Sequence, residues 1–317
     1  MILPFQFVVL PLALLLDQLV GDPPNRFHPT AWMGSLIRWL IRFRPRGNWL
    51  LEFMFGIFIL LAGISLTAGA GLTITFLAGR LPIWAGILLQ AFVLKSTLAL
   101  RGLDRAAREV QSALEAKNLP EARRLLSWHL VSRDTSQLNE SQVSAAAIES
   151  VAENASDGII APLFFYAIGG LSAALAYRFV NTADSMLGYR DAEREWIGKI
   201  PARLDDVLNF IPARVTGLFI ALSAPLCGAN LAQAWSIMWR DSRTTASPNA
   251  GVPMSAMAGA LDVELEKIGH YSLGNGLRLP ELDDLVRARV ILFITMLLSA
   301  FGLTFSSFLL YPSSFLP

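Results

Sequence analysis

Apolar residues along this chain gather in long, nearly uncharged runs separated by polar stretches, and the runs have the length of membrane-crossing helices. Residues 53–79 hold no charged side chain, and 81–100 follow after Arg80 with Pro82 at the turn, which predicts a helical hairpin crossing a bilayer twice. Residues 290–311 predict a last span, and 2–20 a first one that needs Val20 to reach sufficient length. Two further uncharged runs are interrupted: 158–177 by Pro162 and Gly169-Gly170, and 215–239 by Pro225 and Gly228. These predict broken or re-entrant segments. Such segments line sites, because irregular backbone survives at membrane depth only inside protein or facing water. From 101 to 157 the pattern turns polar and helical: Leu103, Ala106, Ala107, Val110, Ala113 and Leu114 share a face, and Pro120 suits the first turn of a second helix. Asn139 with Gln142 three residues on predicts the cap of a third helix. No repeat, linker or soluble second domain interrupts the order. The expectation is an all-α, polytopic integral membrane bundle, one embedded domain over 1–317, with a cytoplasmic helical region at 101–157.

Composition supports this. The 317 residues are 54% hydrophobic and only 16% charged, whereas a soluble domain carries about 25% charged residues. A net charge of +1 argues against a nucleic-acid partner. Cys227 is the sole cysteine, and His28, His129 and His270 are far apart, so neither a disulfide nor a zinc pattern arises. The apolar N-terminal run lacks a basic leader and reads as an uncleaved first span. Lys and Arg fall in all four polar stretches: five in 21–52, seven in 101–157, six in 178–214 and six in 240–289. By the positive-inside rule all four face the cytoplasm, which strict alternation of spans forbids. Segments 158–177 and 215–239 that enter the membrane and return would reconcile the two.

Candidate chemistry lies in four polar clusters at the edges of the apolar runs. The first is the turn holding Asp17, Asp22, Pro23-Pro24 and His28. In the second, Glu149, Glu153 and Asp157 stand one helical turn apart, with Asn154 beside them and no Lys or Arg from Asp134 to Tyr177. Like charges in one row repel and require a bound cation or arginines from elsewhere; a solvated acidic face fits poorly with the apolar run that follows Gly158. The third cluster runs from Tyr177-Arg178 to Arg190, with Asn181, Asp184 and Ser185 on one face. The fourth pairs Asp205 with Asn209 between Arg203 and Arg214. Carboxylates beside spans are costly and mark function. Asp, Asn and Ser oxygens among arginines suit magnesium and phosphate. No Walker-type phosphate loop occurs, since Gly198-Lys199 lacks both its preceding glycine and its following Ser/Thr.

Taken together, the clusters resemble the adenosylcobinamide-phosphate synthase (cobinamide synthase) family of cobalamin biosynthesis. The match is carried by Asp17 through Gly21-Asp22-Pro23 to His28-Pro29 and Met33-Gly34, by Arg133-Asp134-Thr135, and by Glu149 through Glu153-Asn154 and Asp157-Gly158 to Tyr166. It continues through Tyr177-Arg178, Asn181-Thr182 and Asp184-Ser185 to Tyr189, through Ala202 to Asn209 with Pro212 and Arg214, and through Ser247–Gly251 and Met257–Leu261. The resemblance implies an integral membrane ligase. It would join aminopropanol, free or O-phosphorylated, by an amide bond to a propionate carboxylate of adenosylcobyric acid, with ATP and magnesium activating the acid as an acyl phosphate. Under it, Glu153, Asp157, Asp184 and Asp205 are expected to bind magnesium, with Asn154, Asn181 and Asn209 as neutral oxygen donors or orienters. Arg178, Arg203 and Arg214 would hold phosphate or corrin side chains, with Ser185 among the binding residues. Asp22 or His28 would accept the amine proton, and Glu149 and Glu153 join the catalytic set. A lipid bilayer and later cobalamin-assembly enzymes are the expected partners. A transporter, and a membrane phosphotransferase acting on a lipid-linked substrate, are the competing functions.

Overall fold

The computed structural model describes residues 6–189, 191 and 193–310. Thirteen α-helices account for most of the described residues: α1 (Gln6–Val20), α2 (Pro29–Ile41), α3 (Trp49–Ala78), α4 (Ile83–Lys95), α5 (Leu100–Glu115), α6 (Leu119–His129), α7 (Glu140–Ala155), α8 (Ala161–Leu187), α9 (Glu195–Leu208), α10 (Phe210–Ser223), α11 (Leu231–Asp241), α12 (Gly251–Leu261) and α13 (Leu282–Leu310). A short antiparallel hairpin, β1 (Leu265–Lys267) with β2 (Tyr271–Leu273), lies between α12 and α13.

Four helical runs are long and apolar enough to cross a membrane: Trp49–Ala78, Glu140–Leu187, Phe210–Cys227 and Leu282–Ser306. At 1.5 Å per residue, α3 is about 45 Å long, more than the ~30 Å of a hydrocarbon core. It exposes Leu50, Met54, Phe58, Leu61, Leu66, Leu72 and Phe76 all along its outer side. In water such a belt would be a large uncompensated patch; in lipid it is the matching surface. The expected span 53–79 falls inside α3. The expected span 81–100 is shorter than anticipated, because α4 stops at Lys95, and it becomes a fifth candidate only when joined to α5 across a 41° bend. Of the first and last expected spans, residues 2–5 and 311 lie outside the described residues, as does Arg190 of the third cluster.

Both interrupted runs break where their Gly and Pro residues fall. Gly169 and Gly170 leave helical geometry within α8, Gly170 at φ +64°, a value that only a residue without Cβ adopts cheaply. After α10 a short 3₁₀ turn, Ala224–Cys227, ends on Gly228 at φ +68° before α11 begins. The predicted cap is also present: Asn139 and Gln142 form a reciprocal capping box on α7. Pro120 falls in the first turn of α6 as expected, and Asn118 caps that helix.

The chain divides into two compact units. Unit 1 comprises Met1–Leu98, Ala161–Asn209 and Ala300–Pro317; unit 2 comprises Ala99–Ile160 and Phe210–Ser299. In unit 1, α3 packs on α8 and α9. These approaches need glycine: a Cβ on Gly56 of α3 would meet the Ile197 carbonyl oxygen of α9 at 2.3 Å, and one on Gly63 of α3 would meet the Phe179 ring of α8 at 1.8 Å. In unit 2, α12 packs against α7, α10 and α11, and every one of its residues is buried.

Candidate active site

Unit 1 gathers the third and fourth clusters with the first. Asp205 sits in the last turn of α9, buried, and accepts hydrogen bonds from the Asn209 side-chain amide at 2.8 Å and from the Asn181 amide at 3.3 Å. Asn209, itself buried, accepts in turn from the Tyr177 hydroxyl at 2.8 Å. Tyr177 is held by stacking on Phe165, with ring centroids 4.9 Å apart. Arg178 donates to the Asn181 carbonyl oxygen at 3.2 Å. One connected chain therefore runs from Arg178 through Asn181, Asp205 and Asn209 to Tyr177. Burial, and then the neighbouring Asp184 carboxylate, push the Asp205 carboxyl up to about 7. Two carboxylates kept together pay for their proximity in desolvation and mutual repulsion.

The turn after α1 belongs to the same unit. His28 caps α2: its Nδ1 accepts from the Thr30 backbone N–H at 3.2 Å. A ring nitrogen engaged as acceptor leaves the proton of the neutral imidazole on the other nitrogen. Nε2 then donates to Asp22 at 3.3 Å. That hydrogen bond, with the positive charges of Lys95 and Arg178, holds the Asp22 carboxyl below the ordinary carboxylate range despite partial burial. Lys95 is 1% exposed and donates its ammonium to the Gly21 carbonyl. It also stands in the wall of an apolar cavity of about 510 Å³ lined by Pro23, Phe27, Trp32 and Phe92.

Other residues of the third and fourth clusters point elsewhere. The Ser185 hydroxyl donates back to the Asn181 carbonyl of its own helix at 2.9 Å. The Arg203 side chain is 72% exposed and reaches only Asp206, at 3.9 Å. Arg214 lies in unit 2, where it donates to Asn249 at 2.6 Å and to the Pro248 carbonyl at 3.2 Å.

The second cluster also belongs to unit 2. Glu149 is 5% exposed on α7, Glu153 is half-buried, and the Asn154 amide donates to the Ser150 carbonyl at 2.9 Å. The expected acidic row is cut short. The α-helical spacing that aligns Glu149 and Glu153 ends at Ala155, and Asp157 stands in a π turn, Ser156–Ile160. The relief that the row requires comes from Arg133, 3.7 Å from Glu149, and from Lys267 of the hairpin, with Tyr271 beside them. Arg133 was visible as part of a motif, at the break before the acidic helix. Lys267 and Tyr271 carried no signal in a stretch read only as polar.

The four carboxylates expected to bind magnesium thus fall two in each unit: Glu153 and Asp157 in unit 2, Asp184 and Asp205 in unit 1. Among the described residues no group of three or more His, Cys, Asp or Glu is placed to share a metal ion. The Asp184–Asp205 pair with its two amides does fit magnesium, which takes one or two carboxylates and completes its shell with water and phosphate oxygens.

Comparison with known proteins covers nearly the whole chain. The sequence model of the CobD/Cbib protein family matches residues 10–292. The chain is 44% identical over 282 residues to the cobalamin biosynthesis protein CobD of Dehalococcoides mccartyi (strain CBDB1), covering 89% of this chain and 90% of that one. It is 40% identical over 300 residues to the probable cobalamin biosynthesis protein CobD of Methanothermobacter thermautotrophicus, covering 93% and 96%. It is 39% identical over 287 residues to the cobalamin biosynthesis protein CbiB of Salmonella choleraesuis, covering 87% and 89%. No solved structure matches it. The matched span takes in the Asp22–His28 turn, the Glu149–Asp157 segment and the Tyr177–Asn209 network, so the residues that build these sites lie within the shared region, and the chain belongs to the CobD/CbiB protein family.

Proposed function

We propose that this protein is the amide-forming ligase of cobinamide (phosphate) synthesis, joining aminopropanol or its O-phosphate to a propionate carboxylate of adenosylcobyric acid, with its site on the cytoplasmic side of a multi-pass membrane domain. Carboxylate and amine do not condense readily in water. The acid is activated by phosphoryl transfer from ATP: its oxygen leaves with the phosphate, the amine nitrogen forms the new bond, and one amine proton is released. Catalysis of this kind consists mainly of positioning and charge stabilisation.

The observation that carries the reading is the Arg178–Asn181–Asp205–Asn209–Tyr177 chain with Asp184 beside it. Asp184 and Asp205 are the residues that would hold magnesium, which supplies charge neutralisation for phosphoryl oxygens. Asn181 and Asn209 fix the Asp205 carboxylate from both oxygens, and Arg178 presents a guanidinium suited to phosphate. At the first cluster, the Nδ1 lone pair of His28 is spent on the helix cap, and its other ring nitrogen orients Asp22.

The test is incubation of purified protein with adenosylcobyric acid, aminopropanol phosphate, ATP and magnesium, with mass spectrometry for the amide. Amide formation that depends on ATP and magnesium is the expected result. Its absence, with transport of a corrinoid into sealed vesicles instead, would replace this reading by the carrier.

A further inference from the structure

A second cavity, of about 270 Å³, lies within unit 2 between α7, the segment Leu130–Arg133 that precedes it, and the β1–β2 hairpin. Its lining is mostly polar and carries both signs of charge: Arg133 and Lys267 with Glu149 and Glu153, joined by Ser150 and Tyr271. Oxygen Oε1 of Glu149 is buried with no hydrogen-bond partner, and Oε2 is 3.7 Å from Arg133, beyond hydrogen-bond length. A carboxylate buried with an open acceptor is costly unless a donor reaches it from the cavity. Tyr271 keeps its proton well above the ordinary phenol range through burial and the charges of Glu149 and Glu153, and its hydroxyl stands beside Glu149 and reaches Met254 Sδ at 4.0 Å.

The lining discriminates by charge. A lone anion would satisfy Arg133 and Lys267 but face two carboxylates; a lone cation would meet the opposite conflict. A small molecule bearing both charges satisfies all four. The volume equals the liquid share of roughly nine waters at ~30 Å³ each, which suits a short amino alcohol ester. We propose that this cavity binds a small zwitterion made of a primary ammonium and a phosphate monoester, its phosphate on Arg133 and Lys267 and its ammonium on Glu149 and Glu153. In this protein, and resting on the ligase reading above, that zwitterion is the phosphorylated amine substrate. The free amino alcohol brings no anionic group to Arg133 and Lys267 and binds more weakly.

Calorimetric titration of the full-length protein in detergent tests this with three probes: aminopropanol phosphate, free aminopropanol and inorganic phosphate. The phosphorylated amine should bind at least about tenfold tighter than either fragment. Lys267→Gln should cost about tenfold for the phosphorylated amine and for phosphate while leaving the free amine unchanged. Glu149→Gln should weaken both amines and spare phosphate. Arg133→Gln should act as Lys267→Gln does; because Arg133 faces a buried carboxylate and its loss endangers folding, the half-buried Lys267 is the deciding position. Equal affinities for the three probes, or binding of the phosphorylated amine untouched by Lys267→Gln, would overturn the site. Amide formation separates the two ideas. A reaction whose KM for the phosphorylated amine ignores these substitutions refutes the site and keeps the ligase. Binding that maps to these residues without amide formation refutes the ligase and keeps the site.

Discussion

Asn209 donates its side-chain amide to Asp205 at 2.8 Å, one helical turn behind it, while its carbonyl oxygen accepts from Tyr177 at 2.8 Å. The amide cannot flip without losing both contacts, so the phenol of α8 fixes the orientation of a carboxylate on α9. Tyr177→Phe leaves a buried acceptor unmatched. It should cost about 1–3 kcal/mol of stability and lower turnover beyond what the loss of folded protein explains. Unfolding in detergent, set beside amide formation per folded molecule, measures both; unchanged turnover would detach Tyr177 from the site.

The Asp205 carboxyl ionises near 3.8 in an unfolded chain and at about 7 in place. Between those values the folded protein binds the extra proton, so this group makes stability fall as pH rises from about 4 to about 7. Asp205→Asn should flatten that slope. Magnesium needs the ionised form, so it should raise the melting temperature more at about pH 8 than at about pH 6, and not at all in Asp205→Asn. Equal magnesium shifts in the two proteins would remove Asp205 from the metal site.

The contact between α8 and α9 has no room for a methyl group at Gly198, where a Cβ would stand 1.8 Å from the Leu187 carbonyl. Gly198→Ala should destabilise by at least about 1–3 kcal/mol, the usual cost of overpacking. Gly69→Ala on α3, where a Cβ meets nothing within 4 Å, should be neutral or slightly stabilising. Thermal melts of the two variants compare them directly.

The cytoplasmic placement of the polar stretches is tested by thiol labelling. Cys227 is the only cysteine, so Cys227→Ser gives a blank background. Glu193→Cys, exposed ahead of α9, and Arg105→Cys, exposed on α5, should both react with an impermeant maleimide only from the cytoplasmic face. Labelling at 193 from outside would end the re-entrant reading of 158–177 and 215–239.

Much of the architecture was legible because it rests on local physics. The cap Asn139, and the breaks at Gly169-Gly170 and Gly228, are satisfied or strained by their own neighbours in sequence. The Asp205–Asn209 pair was legible for the same reason, being one helical turn long. The partners of Glu149 were only half legible. Arg133 stands at the preceding break, but Lys267 arrives from a hairpin far downstream, which no periodicity announces. The π turn that holds Asp157 was not legible, because a helical wheel assumes an unbroken α-helix.

Helix α12 is eleven residues of small and apolar side chains, all buried. At 1.5 Å per residue it is about 16 Å long, roughly half a bilayer's hydrocarbon thickness. Insertion machinery that judges one segment at a time has no reason to retain it. What holds it is the company of α7, α10 and α11, and a chain lacking any of them bares its apolar surface.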